Sequence, residues 1–183
     1  LRLQLERAHD LIHTDPDGAA ERLAAAESEA DRLGTIIEGL LLLSRTEAKS
    51  AVAVPVDVAA AARARVDHWL PLSDESGVAI RYEGATQAVA SVVPTATEQI
   101  LDNFIDNALS VSPRGTTIVV RVESRGDRVA LHVLDQGPGL SLEDCARAFD
   151  RFWRASSQVG GSGLGLAIVA QLAEASGGSA KLE

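Results

Sequence analysis

The sequence predicts an α+β protein, a helical hairpin followed by strands covered with amphipathic helices. Three observations carry that expectation. Leu1, Leu5, Ala8 and Ile12, and then Leu23, Ala26, Ala30, Leu33, Ile37 and Leu40, recur at alternating steps of three and four, the seam of paired helices. Thr116–Glu123 and Arg128–Asp135 alternate apolar with polar residues on either side of a short Ser124–Asp127 turn. Ile100, Leu101, Phe104, Ile105, Ala108 and Leu109 follow the i, i+4 rule of an amphipathic helix.

Composition narrows the possibilities. A chain of 183 residues, 46% of them hydrophobic, has enough length for a packed core. A net charge of -9 argues against a nucleic-acid partner, because phosphate backbones call for a basic surface. A single cysteine, Cys145, allows no internal disulfide and fits a reducing compartment. No apolar run approaches the ~20 residues that cross a bilayer. The sequence opens inside a helix without a methionine, so it reads as a fragment. Its lysines are Lys49 and Lys181, neither near a glycine motif, and GxxxxGK[ST] is missing, which excludes a P-loop.

In order, Thr14-Asp15-Pro16-Asp17-Gly18 breaks the first helix with turn chemistry, giving an antiparallel hairpin. One hairpin cannot bury both faces of its seam, so it is expected to pair with a second copy as a four-helix bundle in a homodimer. Residues 1–48 form this dimerisation unit, closed by Leu40–Glu47, and Ala48–Pro55 is the linker. From residue 52 to 183 a second domain follows. Val52–Val58 is its first strand, Ala59–Leu70 a helix, and Val78–Tyr82 and Ala88–Val93 two further strands. Pro94 and Thr95 start the next helix, which Ser112–Gly115 ends. Arg125-Gly126-Asp127 is hairpin chemistry. Gln136–Gly163 is a long lid-like loop, Leu164–Ala175 a helix, and Ser179–Glu183 the start of a strand.

Three motifs stand between Glu98 and Leu166. Asn103 and Asn107 lie four apart, so their amides leave one side of the helix, away from its apolar stripe. Asp135-Gln136-Gly137-Pro138-Gly139 ends a strand whose inner row is Val129, Leu131 and Val133, so the Asp135 carboxylate should be buried and need a specific donor. His132 points to the other face as a structural residue. Gly160-Gly161-Ser162-Gly163-Leu164-Gly165-Leu166 opens the last helix. Between the last two motifs lies Phe149-Asp150-Arg151-Phe152-Trp153-Arg154, in which the two phenylalanines are expected to fasten the lid to the core.

The series resembles the N, G1, F and G2 boxes of sensor histidine kinases, within the wider family of Bergerat-fold ATPases. The resemblance covers nearly the whole chain and implies an α/β sandwich that binds ATP and Mg2+. It implies that Asp135 accepts from the adenine amino group and that Asn107 supplies a metal ligand, with Asn103, one turn earlier, against the phosphates or in the same hydration shell. Gly137 and Gly139 would let the chain turn close to the base, Gly163 and Gly165 would let backbone N–H groups approach the phosphates, and Leu140, Gly161, Leu164 and Leu166 complete the expected nucleotide-binding set. Arg151 and Arg154 are candidates for the γ-phosphate. The implied partners are a second copy and the receiver domain of a response regulator. The implied place is cytoplasmic, in a parent held at the inner or plasma membrane by parts absent here.

Two departures matter. Most relatives carry Lys-Tyr after the asparagine helix, where this chain has Ser110-Val111. The lid between Arg154 and Gly161 is also short. Moreover, His9 and His13 are not followed by an acidic residue, x, Arg, x, Pro, so the phosphoacceptor histidine is expected upstream of Leu1. An alternative is a degenerate nucleotide-binding module that regulates by dimerisation without kinase activity. An ATPase of the mismatch-repair or topoisomerase type fits less well, because those begin with the ATPase domain.

Overall fold

The computed structural model describes residues 2–12, 14–26, 30, 52–154 and 162–183. Helix α1 (Arg2–Leu11) and helix α2 (residues 16–26) form the front of the chain. Asp15 makes the turn between them. Its carboxylate accepts the Gly18 N–H at 3.1 Å and its carbonyl accepts that of Ala19 at 3.0 Å. Pro16 holds the first helical position, where a missing N–H costs nothing, so the break is shorter than Thr14–Gly18. Ala8, Ala19 and Ala26 are buried, while Leu5, Ile12 and Leu23 of the expected seams stay exposed. Leu1, His13, Leu33, Ile37 and Leu40, the segment closing at Glu47 and the linker from Ala48 to Ala51 lie outside the described residues.

Strand β1 (Val54–Asp57) is shorter than expected because Asp57 already caps the next helix. Its Oδ1 accepts the N–H groups of Ala59 and Ala60, and also that of Ala88 at 3.1 Å. Hydrogen bonding from Ala88 first, then from the helix start, holds this carboxyl below the usual aspartate range. Pro55 sits within β1, which among the described residues pairs with β3 alone and so tolerates a proline.

Helix α3 (Val58–Ser76) runs through Pro71 and well beyond the expected end at Leu70. A proline inside a helix costs about 3 kcal/mol. Packing of α3 on β2 and α4 offsets this; locally, Ser73 is fully buried and its hydroxyl donates to the Val78 carbonyl, while Gly77, at φ 69°, closes the helix.

Strand β2 (Ala79–Gly84) runs parallel to β4 (Thr117–Arg125), which pairs antiparallel with β5 (Arg128–Leu134). Strand β3 (Val89–Val92) pairs antiparallel with β1 in a second, two-stranded sheet. Gly126, at φ 65°, makes the tight turn that sets Arg125 opposite Arg128. Alternation in β4 sends Ile118, Val120 and Val122 inward, all at 0% exposure, against α3 and helix α4 (Ala96–Val111). Asp102 ties the two helices together, accepting from Arg65 Nε and Trp69 Nε1, each at 2.8 Å.

Helix α5 (Leu142–Arg147) stands inside the stretch expected to be all loop. Ser141 Oγ caps it, accepting the Asp144 N–H at 3.0 Å. Helix α6 (Gly165–Ala175) packs on the start of α4 through Leu164, Ile168 and Leu172 against Ala96 and Ile100. Ser179–Glu183 forms no strand. Among the described residues no helix is long and apolar enough to cross a membrane.

Candidate functional site

Helix α4 is the spine of the site. It begins at Ala96 rather than at Pro94, with Thr95 before it in the left-handed region at φ 66°. Leu101, Ile105 and Ala108 are buried against the sheet, as the apolar spacing demands. The two asparagines do not simply face solvent: both are half-buried. Asn103 Nδ2 donates to the Gln99 carbonyl at 2.8 Å, which aims Oδ1 away from its own helix. That oxygen lies 2.7 Å from where a Cβ on Gly165 would stand, so the asparagine helix and the glycine-motif helix meet there. Asn107 Nδ2 is buried without a hydrogen-bond partner in the protein. A buried donor without an acceptor is costly, so this carboxamide has hydrogen-bonding capacity to offer a ligand.

The second motif sits at the other end of α4. Asp135 lies just past the end of β5 and is exposed, contrary to the expected buried carboxylate. The row of Val129, Leu131 and Val133 is packed on the core but only half-buried, and the chain leaves the sheet before residue 135. Asp135 Oδ1 accepts the Gly137 N–H at 2.8 Å. A Cβ on Gly137 would stand 2.7 Å from Val111 Cγ2, so the turn is seated on the last residue of α4. Gly139 is different: its φ is 72° and nothing lies within 4 Å, so glycine is needed there for conformation alone. His132 is half-buried on β5.

The third motif is described from Ser162 onward, and Gly161 lies outside the described residues. Ser162 Oγ accepts the Leu164 N–H at 3.3 Å. The Leu164 side chain is fully buried in the core and anchors the loop, so it can serve a ligand only through its backbone. Leu166 is half-buried. The first N–H groups of α6 have no acceptor within the helix, which gives this end the character of an anion site.

Gly163, at φ 70°, holds the Phe152 segment. Its carbonyl accepts the Phe152 N–H at 2.8 Å, and a Cβ there would stand 2.8 Å from the Phe152 backbone. Phe152 is thus fastened by its backbone, in the left-handed region at φ 65°, while its side chain is 57% exposed. That corrects the expectation that both phenylalanine rings pin the lid; Phe149 is half-buried.

A cleft of about 720 Å³ opens beside the lid, lined by Gly139, Leu140, Arg147, Arg151 and Arg154 among others. The structure therefore groups Gly139 and Leu140 with Arg151 and Arg154. Arg147 was missed, although it stands four residues before Arg151 on the face of a short capped helix. Among the described residues no cluster of three or more His, Cys, Asp or Glu could hold a metal ion. A hard divalent cation here would be held by one or two protein oxygens together with substrate phosphates.

Asn103 and Val111 are eight positions apart, about 12 Å along α4 at the rise of an α-helix. One helix thus touches the glycine loop at one end and the Asp135 turn at the other, with Asn107 midway.

Compared with known proteins, residues 92–183 match the family model described as histidine kinase-, DNA gyrase B-, and HSP90-like ATPase. Over 173 residues the chain is 33% identical to the sensor protein IrlS of Burkholderia pseudomallei, covering 90% of this chain and 37% of that protein. The chain spans between 35% and 45% of the length of the first curated relatives it matches. Among solved structures it is similar to the mycobacterial sensor histidine kinase MprB, with a TM-score of 0.59 and 29% identity, over 69% of this chain and 81% of that one. It is also similar to full-length ShkA in complex with AMPPNP, with a TM-score of 0.69 and 28% identity, over 94% of this chain and 37% of that one.

Proposed function

The chain belongs to the histidine kinase-, DNA gyrase B-, and HSP90-like ATPase family, and from that premise we propose that it is the catalytic core of a sensor histidine kinase, binding ATP with Mg2+ along α4. The observation that carries the reading is the contact of Asn103 with Gly165, one helical turn from the spare carboxamide of Asn107. Together they bring a carboxamide with a spare N–H donor to a helix N-terminus suited to phosphate. The Val111–Gly137 contact sets the adenine end two turns away.

In this reading the Asp135 carboxylate accepts from the adenine amino group, and Gly137, Gly139 and Leu140 shape the wall beside the base. Asn107 offers its amide oxygen to Mg2+ and its spare Nδ2 donor to a phosphate oxygen, and Asn103 turns its amide oxygen toward the hydration shell of the same ion. Gly163, Gly165 and Leu166 present backbone N–H groups to the triphosphate. Mg2+, when bound, neutralises phosphate charge that this lysine-poor chain otherwise leaves to arginine. Arg151 and Arg154 line the cleft beside Phe152, apart from Asn103 and Asn107, and in this reading they are the cations offered to the terminal phosphate. The protein's contribution is positioning and charge stabilisation, as in other phosphoryl transfers.

The parent phosphorylates a histidine upstream of Leu1 and passes the group to the receiver domain of a response regulator. It dimerises through the hairpin, whose Leu5, Ile12 and Leu23 are exposed in the single chain. It is held at a membrane by segments beyond this one. The test is calorimetry with ATP and Mg2+ on the chain and on Asn107→Ala; equal binding by both would remove Asn107 from the metal site.

A second reading, a regulatory module without kinase activity, draws on one observation. Ser110 stands where relatives carry lysine, and its hydroxyl is turned back onto the Asn107 carbonyl at 2.7 Å. γ-Labelled ATP incubated with the chain extended upstream separates the two. An acid-labile, base-stable label supports the kinase, and its absence supports the module.

A further inference from the structure

The end of α4 gives Val111 a task that its residue type does not advertise. Val111 is half-buried at the last position of the helix. Its Cγ2 lies 2.7 Å and its Cβ 3.2 Å from where a Cβ on Gly137 would stand, so the two pack as closely as glycine permits. Gly137 is not among the glycines with positive φ, so it is required for space and not for backbone conformation. Its N–H donates to Asp135 Oδ1 at 2.8 Å. A stiff β-branched side chain on a helix thus supports a backbone amide, and that amide holds an exposed carboxylate.

We propose that Val111 is the positioning residue that fixes the Asp135 carboxylate and thereby sets the preference of the nucleotide site for adenine over guanine. The inference rests on the reading above, in which Asp135 meets the base. A carboxylate can only accept hydrogen bonds. Adenine offers an amino donor at the edge where guanine offers a carbonyl acceptor. Discrimination between them requires the carboxylate to stay in place, because hydrogen bonds weaken steeply with lost alignment. With the support removed, Gly137 can shift and Asp135 can rotate toward water, and the penalty against guanine falls with the attraction to adenine.

The test is Mg2+-dependent ATP and GTP binding to the whole 183-residue chain by calorimetry, with thermal melts alongside. Val111→Ala should weaken ATP about fivefold and leave GTP within about twofold, shrinking the ATP/GTP ratio. Val111→Thr keeps the branched shape and should keep the ratio. Gly137→Ala should weaken ATP more than about tenfold, and Val111→Ala in that background should recover part of the loss, because it removes the methyl that the new Cβ meets. A folded Val111→Ala with the wild-type ratio, or two substitutions whose effects merely add, would overturn the proposal. Gly137→Ala cannot stand in for Val111→Ala, because its new Cβ would also meet Asp135 Oδ1 at 2.9 Å. Should Val111→Ala fail to fold, Val111→Leu, which moves the branch away from Cβ, decides, and an unchanged ratio there also overturns the proposal. Failure of the underlying reading looks different. Asp135→Asn would then bind ATP as the wild type does, whereas loss at Asp135→Asn with no change at Val111→Ala defeats the Val111 proposal alone.

Discussion

Asn103 Oδ1 stands 2.7 Å from the position a Cβ on Gly165 would occupy, so a carboxamide on α4 fills the place of a side chain at the start of α6. This joins two of the three motifs in space. Gly165→Ala should force the amide or the helix aside, at about 1–3 kcal/mol of stability. ATP affinity should fall about tenfold. Asn103→Ala in the same background should restore the melting temperature and leave the binding defect. Calorimetric melts and nucleotide titration check both; a melting temperature that does not recover would place the strain elsewhere.

The two lid glycines should behave differently. Gly139 and Gly163 share a left-handed φ, but only Gly163 would collide with backbone, at 2.8 Å from Phe152. Gly139→Ala should cost about 1–2 kcal/mol, the left-handed penalty of an L-residue. Gly163→Ala adds the collision and should cost more, with the loss of the Phe152–Gly163 hydrogen bond seen as faster amide exchange at Phe152. Equal destabilisation by the two would contradict this geometry.

Asp102 should be a stability residue. It accepts from both Arg65 and Trp69, and its side chain is 35% exposed. Asp102→Ala leaves the indole N–H and guanidinium without their acceptor, at about 1–3 kcal/mol. The denaturation midpoint should drop, while nucleotide affinity of the folded fraction stays near wild type. Loss of binding without loss of stability would mean that Asp102 belongs to the site.

Asp57 gives the pH dependence. Hydrogen bonds from Ala88, Ala60 and Ala59 lower its folded-state pKa from the ordinary value of 3.8. Its contribution is therefore fully present above the unfolded value and is lost as pH falls through the lower, folded one. The stability gap between wild type and Asp57→Asn should be flat near neutrality and begin to close as pH falls toward 3.8. Denaturation midpoints against pH measure it; a gap that widens in acid would reverse the assigned sign.

The motifs and the long periodic elements were legible in the sequence alone; the far end of α3 and the absence of a strand at Ser179–Glu183 were not, and α5 was missed. The apolar spacing of α4 marks Leu101, Ile105 and Ala108, and alternation in β4 marks Ile118, Val120 and Val122, all of which are buried. These are periodicities of three or four and of two, readable from neighbours in the chain. Ser141-Leu142-Glu143-Asp144 was an available capping signal that announced α5 inside the supposed loop.

Packing decided the rest. Pro71 sits inside a helix that packs on β2 and α4 and buries Val66 and Ser73 on either side of it. Asp135 lies exposed because the chain leaves the sheet one residue earlier than alternation implied. Asn103 meets Gly165 across 62 positions and Val111 meets Gly137 across 26, contacts that no local pattern encodes. A repeat of apolar residues says which face of a helix avoids water; what comes to cover that face, and which polar groups are caught at its margin, depends on packing between segments far apart in the chain.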